Sequence, residues 1–111
     1  MDGFYQAFLT GRAGSNVAVF IIRGGVIIGV DASGMGYDGE IQPKNDGSGF
    51  VCKVVYVIPA GVPLITGASP LPEPQRAPLT FDLPINFNGQ VITIVTPLGP
   101  VNVRFQKVRD L

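Results

Sequence analysis

Two acidic side chains have the spacing with the clearest potential for chemistry in this sequence. Asp38 and Glu40 lie two positions apart in a segment typical of a β-strand, so they would point to the same face. Paired carboxylates can cleave glycosides or hold a hard cation. Two solvated acids beside a turn are far more common, and we favour that interpretation.

The other polar residues do not complete a catalytic set. The chain has no histidine, so the usual triads, zinc sites and imidazole bases lack a member. Asp31 ends a predicted strand, where a turn role suffices, and Asp82 lies on the polar face of another. We interpret the three tyrosines, at positions 5, 37 and 56, as core or rim residues of strands. The sequence therefore predicts a protein that is not an enzyme and has no metal or cofactor.

The single cysteine, Cys52, bears on the compartment. No disulfide can form within the chain, which fits a reducing environment. Because Cys52 lies in an apolar run, a buried structural thiol is expected rather than a reactive one. The first residues lack the features of a signal peptide, and no apolar run approaches the roughly 20 residues of a membrane helix. We therefore predict a cytoplasmic protein.

Composition and charge indicate one folded domain, residues 1–111. The chain is 46% hydrophobic and only 14% charged, which is not the composition of a disordered segment. Eight basic and eight acidic residues give a formal net charge of zero and are scattered along the chain. Since nucleic acids and anionic membranes attract clustered positive charge, neither is expected as a partner.

The elements that must position these side chains are organised around residues 16–31. Two runs of β-branched residues flank Gly24-Gly25, a pair that can take positive φ at both central turn positions, which predicts a two-residue hairpin. Both faces of this hairpin are apolar, whereas a surface hairpin would bury one and wet the other. One face carries Val17, Val19, Ile21, Val26, Ile28 and Val30, and the other carries Ala18, Phe20, Ile22 and Ile27.

The rest of the chain predicts further strands and no helix. Strands are expected over residues 3–11, 37–42, 50–58, 79–87, 90–96 and 101–106. About eight sequential antiparallel strands predict an all-β fold, a small up-and-down β-barrel of lipocalin-like type, because closure removes exposed strand edges. A β-sandwich is the alternative.

Two connections and one strand residue carry specific predictions. Asn88-Gly89 predicts a type I′ hairpin, and Pro84 indicates an edge strand or a bulge. The proline-rich residues 59–78 predict a stiff crossover loop, in which residues 64–66 could form a short edge strand.

The barrel lumen has two possible contents. Seven phenylalanines offer enough bulk to fill it, and a filled lumen is the favoured prediction. The alternative is a cavity for a small apolar ligand, which would make the protein a ligand-binding barrel.

Short motifs in the first half of the chain resemble a known family. Asp2-Gly3-Phe4-Tyr5, the hairpin, Gly29-Val30-Asp31 and Tyr37-Asp38-Gly39 follow one another as in the GrlR-type proteins, small negative regulators of a bacterial type III secretion regulon. The resemblance implies an eight-stranded lipocalin-like barrel that is a homodimer, has no enzymatic activity and binds a transcriptional activator rather than DNA.

The resemblance also implies a partner-binding loop after the Tyr-x-Gly strand. An alternating acidic run contacts the partner in the family, whereas the loop here contains Lys44, Asn45 and Asp46, with one acid and an added lysine. The loop therefore lacks most of the negative charge that would attract a basic partner.

The doubly apolar hairpin favours self-association. If the uniformly β-branched face packs the lumen, the face shared with Asp31 points outward. Phe20, Ile22 and Ile27 are then the predicted dimer-interface residues. The leading hypothesis is a dimeric barrel that acts by protein–protein interaction.

Overall fold

Eight strands follow one another in chain order, each antiparallel to its neighbour, in a computed structural model that describes all residues 1–111. The strands are β1 (Gly3–Gly11), β2 (Gly14–Arg23), β3 (Val26–Asp31), β4 (Gly36–Pro43), β5 (Gly49–Ile58), β6 (Gln75–Pro84), β7 (Val91–Thr96) and β8 (Gly99–Arg109). There is no helix, and hence none that could span a membrane.

The sheet curls into a nearly closed barrel. β8 returns to pair with β1, which gives the order β6-β5-β4-β3-β2-β1-β8-β7. No backbone ladder joins β6 to β7, so one seam of the barrel is unsealed. This confirms the predicted all-β, up-and-down barrel over the sandwich. The radius of gyration, 13.5 Å, is that of a compact chain of this length.

The central hairpin forms as predicted. Gly24 and Gly25 have φ values of 58° and 81°, and Arg23 pairs with Val26 across them. Positive φ at both central positions matches the twist of the flanking strands, which is why glycine occupies both.

The hairpin turns the opposite face inward from the one predicted. Phe20, Ile22 and Ile27 are only 6%, 0% and 1% exposed and lie in the core, so the prediction that they form an outward dimer patch is wrong. The physical reason is Asp31, which shares their face. Its carboxylate is buried because four donors from the following turn and strand satisfy it, so it does not mark a solvated face.

The β6–β7 connection is not a type I′ hairpin. Such a turn needs positive φ at both central residues, and here only Gly89 has it, at 82°. Instead, the Asn88 side chain accepts a hydrogen bond from the Lys107 amide, and the Gly89 amide donates to the Phe105 carbonyl. These bonds tie residues 85–90 to β8 and bury Phe87. As a result β6 and β7 do not pair with each other, although each pairs with its other neighbour.

The proline-rich crossover is shorter than predicted and caps one end of the barrel. β6 begins at Gln75 rather than residue 79, and Pro84 does lie on a terminal strand of the sheet. Residues 63–66, the cap segment, form no strand. The Ile65 carbonyl accepts a hydrogen bond from the Ala13 amide at 2.7 Å and passes so close to Gly11 that a Cβ there would lie 2.3 Å from it.

The lumen is filled at one end only. The packed end is an aromatic cluster in which the Phe87 ring centroid lies 5.8 Å from Tyr5, 5.9 Å from Phe50 and 5.6 Å from Phe105. Five of the seven phenylalanines face inward. Phe4 and Phe8 do not, because strand alternation places them on the outer wall, where Phe8 lies 4.7 Å from the Arg104 guanidinium.

Candidate functional site

A cavity of about 100 Å³ occupies the other end of the lumen, which we call the open end. Sixteen of its 22 lining residues are hydrophobic. Leu79 and Phe81 of β6 and Ile94 of β7 place it directly behind the unsealed seam, and the cap segment, including buried Leu64, forms its roof. This volume is smaller than the roughly 150 Å³ of an engineered enclosed cavity that takes up benzene, but the space here is partly open to the outside, so its upper limit is a molecule of about one aromatic ring.

One wall of the cavity contains a buried carboxylate network. Oδ1 of Asp31 accepts from the Ser33 amide at 3.0 Å, the Ser33 hydroxyl at 2.7 Å and the Met35 amide at 3.0 Å. Oδ2 accepts from the Tyr37 hydroxyl at 3.1 Å. The pKa of Tyr37 is raised above its usual range, mainly by burial and to a smaller extent by the negative charge of Asp31. Both groups are committed to each other, which makes this network a structural brace for the β3–β4 turn.

Tyr56 is the exception among the polar residues of the cavity. Its side chain is 3% exposed, and its hydroxyl is the buried side-chain polar atom that has no hydrogen-bond partner. Burial raises the pKa of Tyr56, so the phenol stays protonated at neutral pH. A buried donor without a partner costs about 1–3 kcal/mol, a cost that a protein retains only where something offsets it.

Strand alternation and register explain why Tyr56 reaches the lumen. It lies on the inner face of β5 with Phe50, Cys52 and Val54, and it pairs across the ladder with Tyr37. The sequence indicates the shared face of these β5 residues. It contains no signal that Tyr37 has an acceptor while Tyr56 has none, because the acceptor is brought in by the turn after β3.

The thiol and the acidic pair lie outside this site. Cys52 is fully buried and burial raises its pKa to about 12, which confirms the expected structural thiol. Asp38 and Glu40 are exposed on the outer face of β4, as expected for solvated acids. No three His, Cys, Asp or Glu side chains lie close enough together to hold a metal ion.

The loop that the family resemblance implied as a partner site is engaged in local contacts. The Lys44 ammonium donates to Asp82 Oδ2 of β6 at 2.8 Å. Asp46 accepts from the amide and hydroxyl of Ser48, and these hydrogen bonds lower the pKa of its carboxyl. Asn45 is exposed. The structure does not bring these residues near the cavity.

The outer wall of the hairpin is a second surface of interest. The six β-branched residues that were predicted to fill the lumen are instead 36–48% exposed on adjacent strands: Val17, Val19, Ile21, Val26, Ile28 and Val30. Contiguous exposed apolar residues of this kind mark interaction surfaces in many proteins.

Comparison with protein-family models, curated proteins and solved structures finds no match to this chain. The resemblance to GrlR-type regulators therefore stays a prediction that rests on its short motifs.

Proposed function

We propose that this protein is a non-catalytic binding barrel that takes a small apolar molecule into the open end of its lumen. The observation that carries the proposal is the apolar cavity itself, roofed by the cap segment and bordered by the seam. Apolar cavities of this kind stay dry and accept apolar guests. The space that is left unfilled costs about 2 kcal/mol at the usual price per unit of cavity volume, which a guest would offset.

The two methionines give a direct test, because one lines the cavity and the other does not. Met35 belongs to the cavity wall and Met1 is at the exposed amino end. Toluene is added to protein labelled with ¹³C in its methionine methyl groups. We expect the Met35 methyl resonance to shift in a saturable way while the Met1 resonance stays in place. A Met35 signal that does not respond up to the solubility limit of toluene would overturn the proposal.

A matched pair of variants on β6 makes the test specific to the cavity. Leu79→Phe adds bulk to the cavity wall and is expected to weaken toluene binding at least tenfold. Thr80→Phe adds an aromatic ring to the exposed face of the same strand and is expected to leave binding unchanged. Equal loss in both variants would mean that the probe binds elsewhere.

A second candidate function, action through protein–protein contact, is favoured by the exposed outer face of the hairpin. We propose a second copy of the chain as its occupant. A uniform β-branched face is complementary to itself under a two-fold axis, and a net charge of zero does not oppose pairing. The resemblance to GrlR-type regulators implies the same homodimer, which would act as a negative regulator by binding a transcriptional activator.

Sedimentation velocity tests this assembly. We expect a dimer at micromolar concentration, which Ile21→Lys converts to a monomer because it places a charge in the centre of the face. The matched control is Thr93→Lys, which adds the same charge to exposed β7 and should leave the dimer intact. A wild-type monomer at about 100 μM would remove the candidate, since stable dimers associate more tightly than this.

A further inference from the structure

We infer that the molecule held in the open end is a neutral compound with a carbonyl-type acceptor, and that the Tyr56 hydroxyl donates a hydrogen bond to it. This inference rests on the proposed ligand-binding function and assigns the chemical class of the ligand. The observation behind it is that Tyr56 lines an apolar cavity while its hydroxyl is buried and has no hydrogen-bond partner.

Every other polar side chain in the cavity wall already has a hydrogen-bond partner. Asp31 and Tyr37 bond to each other, and the Asn16 amide donates to the Ser33 hydroxyl, which donates to Asp31. The Thr66 hydroxyl accepts from the Ala68 amide, and the Thr96 hydroxyl donates to the Gly99 carbonyl. Among the buried side-chain polar atoms of the wall, the Tyr56 hydroxyl alone has no partner, and its proton requires an acceptor.

A water molecule is a poor occupant of this position. A buried water needs two to four polar partners, and the neighbouring groups are committed elsewhere within an apolar surround. A guest with an apolar body and one acceptor satisfies both the walls and the hydroxyl.

The charge of the walls selects a neutral molecule. No lysine or arginine lines the cavity, and the only acidic side chain in its wall is that of Asp31. An anionic guest would lose its hydration without gaining a counter-ion and would lie near a like charge. The size of the space limits the apolar body to about one ring. These conditions describe small aryl or alkyl ketones and aldehydes.

Three probes of nearly equal size test the assignment in wild type and in Tyr56→Phe. Acetophenone carries the acceptor, isopropenylbenzene replaces the carbonyl oxygen by a methylene group, and benzoate carries a negative charge. Binding is measured by titration of the Met35 methyl resonance. Tyr56→Phe keeps the ring and removes only the unpartnered hydroxyl, so the variant is expected to fold.

We expect Tyr56→Phe to lower the affinity for acetophenone about fivefold, because a hydrogen bond of this kind contributes about 1 kcal/mol net. Isopropenylbenzene should bind the two proteins equally, and benzoate should bind neither. The infrared carbonyl band of bound acetophenone should lie at lower frequency in wild type than in the variant, which a purely structural role of Tyr56 would not produce.

The outcomes separate the two proposals. If acetophenone and isopropenylbenzene bind wild type but the substitution changes neither affinity nor the carbonyl band, the role of Tyr56 is overturned while ligand binding stands. Benzoate binding as tightly as acetophenone overturns the neutral class. If none of the probes binds wild type, the proposed function itself fails and this inference fails with it.

Discussion

Each end of the barrel lumen contains a tyrosine, but the hydroxyl has a hydrogen-bond partner at the packed end and none at the open end. At the packed end the Tyr5 ring lies 6.4 Å from that of Phe105 at an interplanar angle of 89°, and the Tyr5 hydroxyl donates to the Met1 carbonyl at 2.5 Å. At the open end Tyr56 lines a cavity and its hydroxyl has no partner. A tyrosine that is satisfied contributes to stability, whereas one that is not keeps its hydrogen-bonding capacity for something outside the chain.

The difference begins with the connections that close each end. Residues 85–90 reach β8 and insert Phe87 into the lumen, so one connection supplies the side chain that fills the packed end. The cap segment covers the other end with Leu64 but does not fill it. The division of roles between the ends is therefore a division between stability and binding capacity, and it can be tested by substitutions in matched pairs.

The largest expected effect is the loss of the ring that plugs the packed end. Phe87→Ala should lower the free energy of unfolding by about 3–5 kcal/mol, because Phe87 is 4% exposed and contacts three other aromatic rings. Phe81→Ala, at the wall of the open end, should cost less, about 1–2 kcal/mol, because the half-buried Phe81 ring removes less apolar surface from water. Urea unfolding measures both, and equal losses would abolish the distinction between the ends.

A smaller loss is expected from the brace beside the cavity. Tyr37→Phe removes one of the four donors to the buried Asp31 carboxylate and should cost about 2 kcal/mol, the value of a hydrogen bond to a charged group. Because the chain has no tryptophan to report unfolding by fluorescence, urea unfolding is followed by far-ultraviolet circular dichroism. An unchanged midpoint would show that the carboxylate is held by the turn amides and Ser33 alone.

The fold is predictable from local patterns, whereas this division of the lumen is not. Strand alternation and the Gly24-Gly25 turn act between close neighbours, and both survive in the structure. The choice of inner face depends on Asp31, whose burial follows from partners in the next turn and strand. The open seam depends on the contacts of Asn88 with β8, distant in sequence, which override a strong hairpin signal. The cavity depends on both the choice of inner face and the open seam.

The tyrosine hydroxyls give changes of opposite sign at the two ends. Tyr56→Phe removes a buried, unpartnered hydroxyl and should raise the free energy of unfolding by about 1 kcal/mol. Tyr5→Phe removes a hydroxyl that is bonded to the Met1 carbonyl and should lower it by a similar amount. Thermal unfolding at a single pH compares the two. If both substitutions lower stability, Tyr56 has a partner in solution and the contrast between the ends disappears.

Chemical labelling of the Cys52 thiol, which requires no substitution, locates the border between the packed end and the open end of the lumen. Cys52 is fully buried on β5 between Phe50 and the cavity residue Val54, and its pKa of about 12 leaves about a thousandfold less thiolate than a pKa of 9.0 would. We expect an uncharged thiol reagent at pH 8 to react only after unfolding in urea. Because the folded pKa is the higher one, the unfolded chain releases the proton first, so Cys52 should lower stability as the pH rises from 9.0 toward 12. Rapid labelling of the folded protein would mean that solvent passes through the open end into the middle of the lumen, and the packed end would then begin only at Phe50.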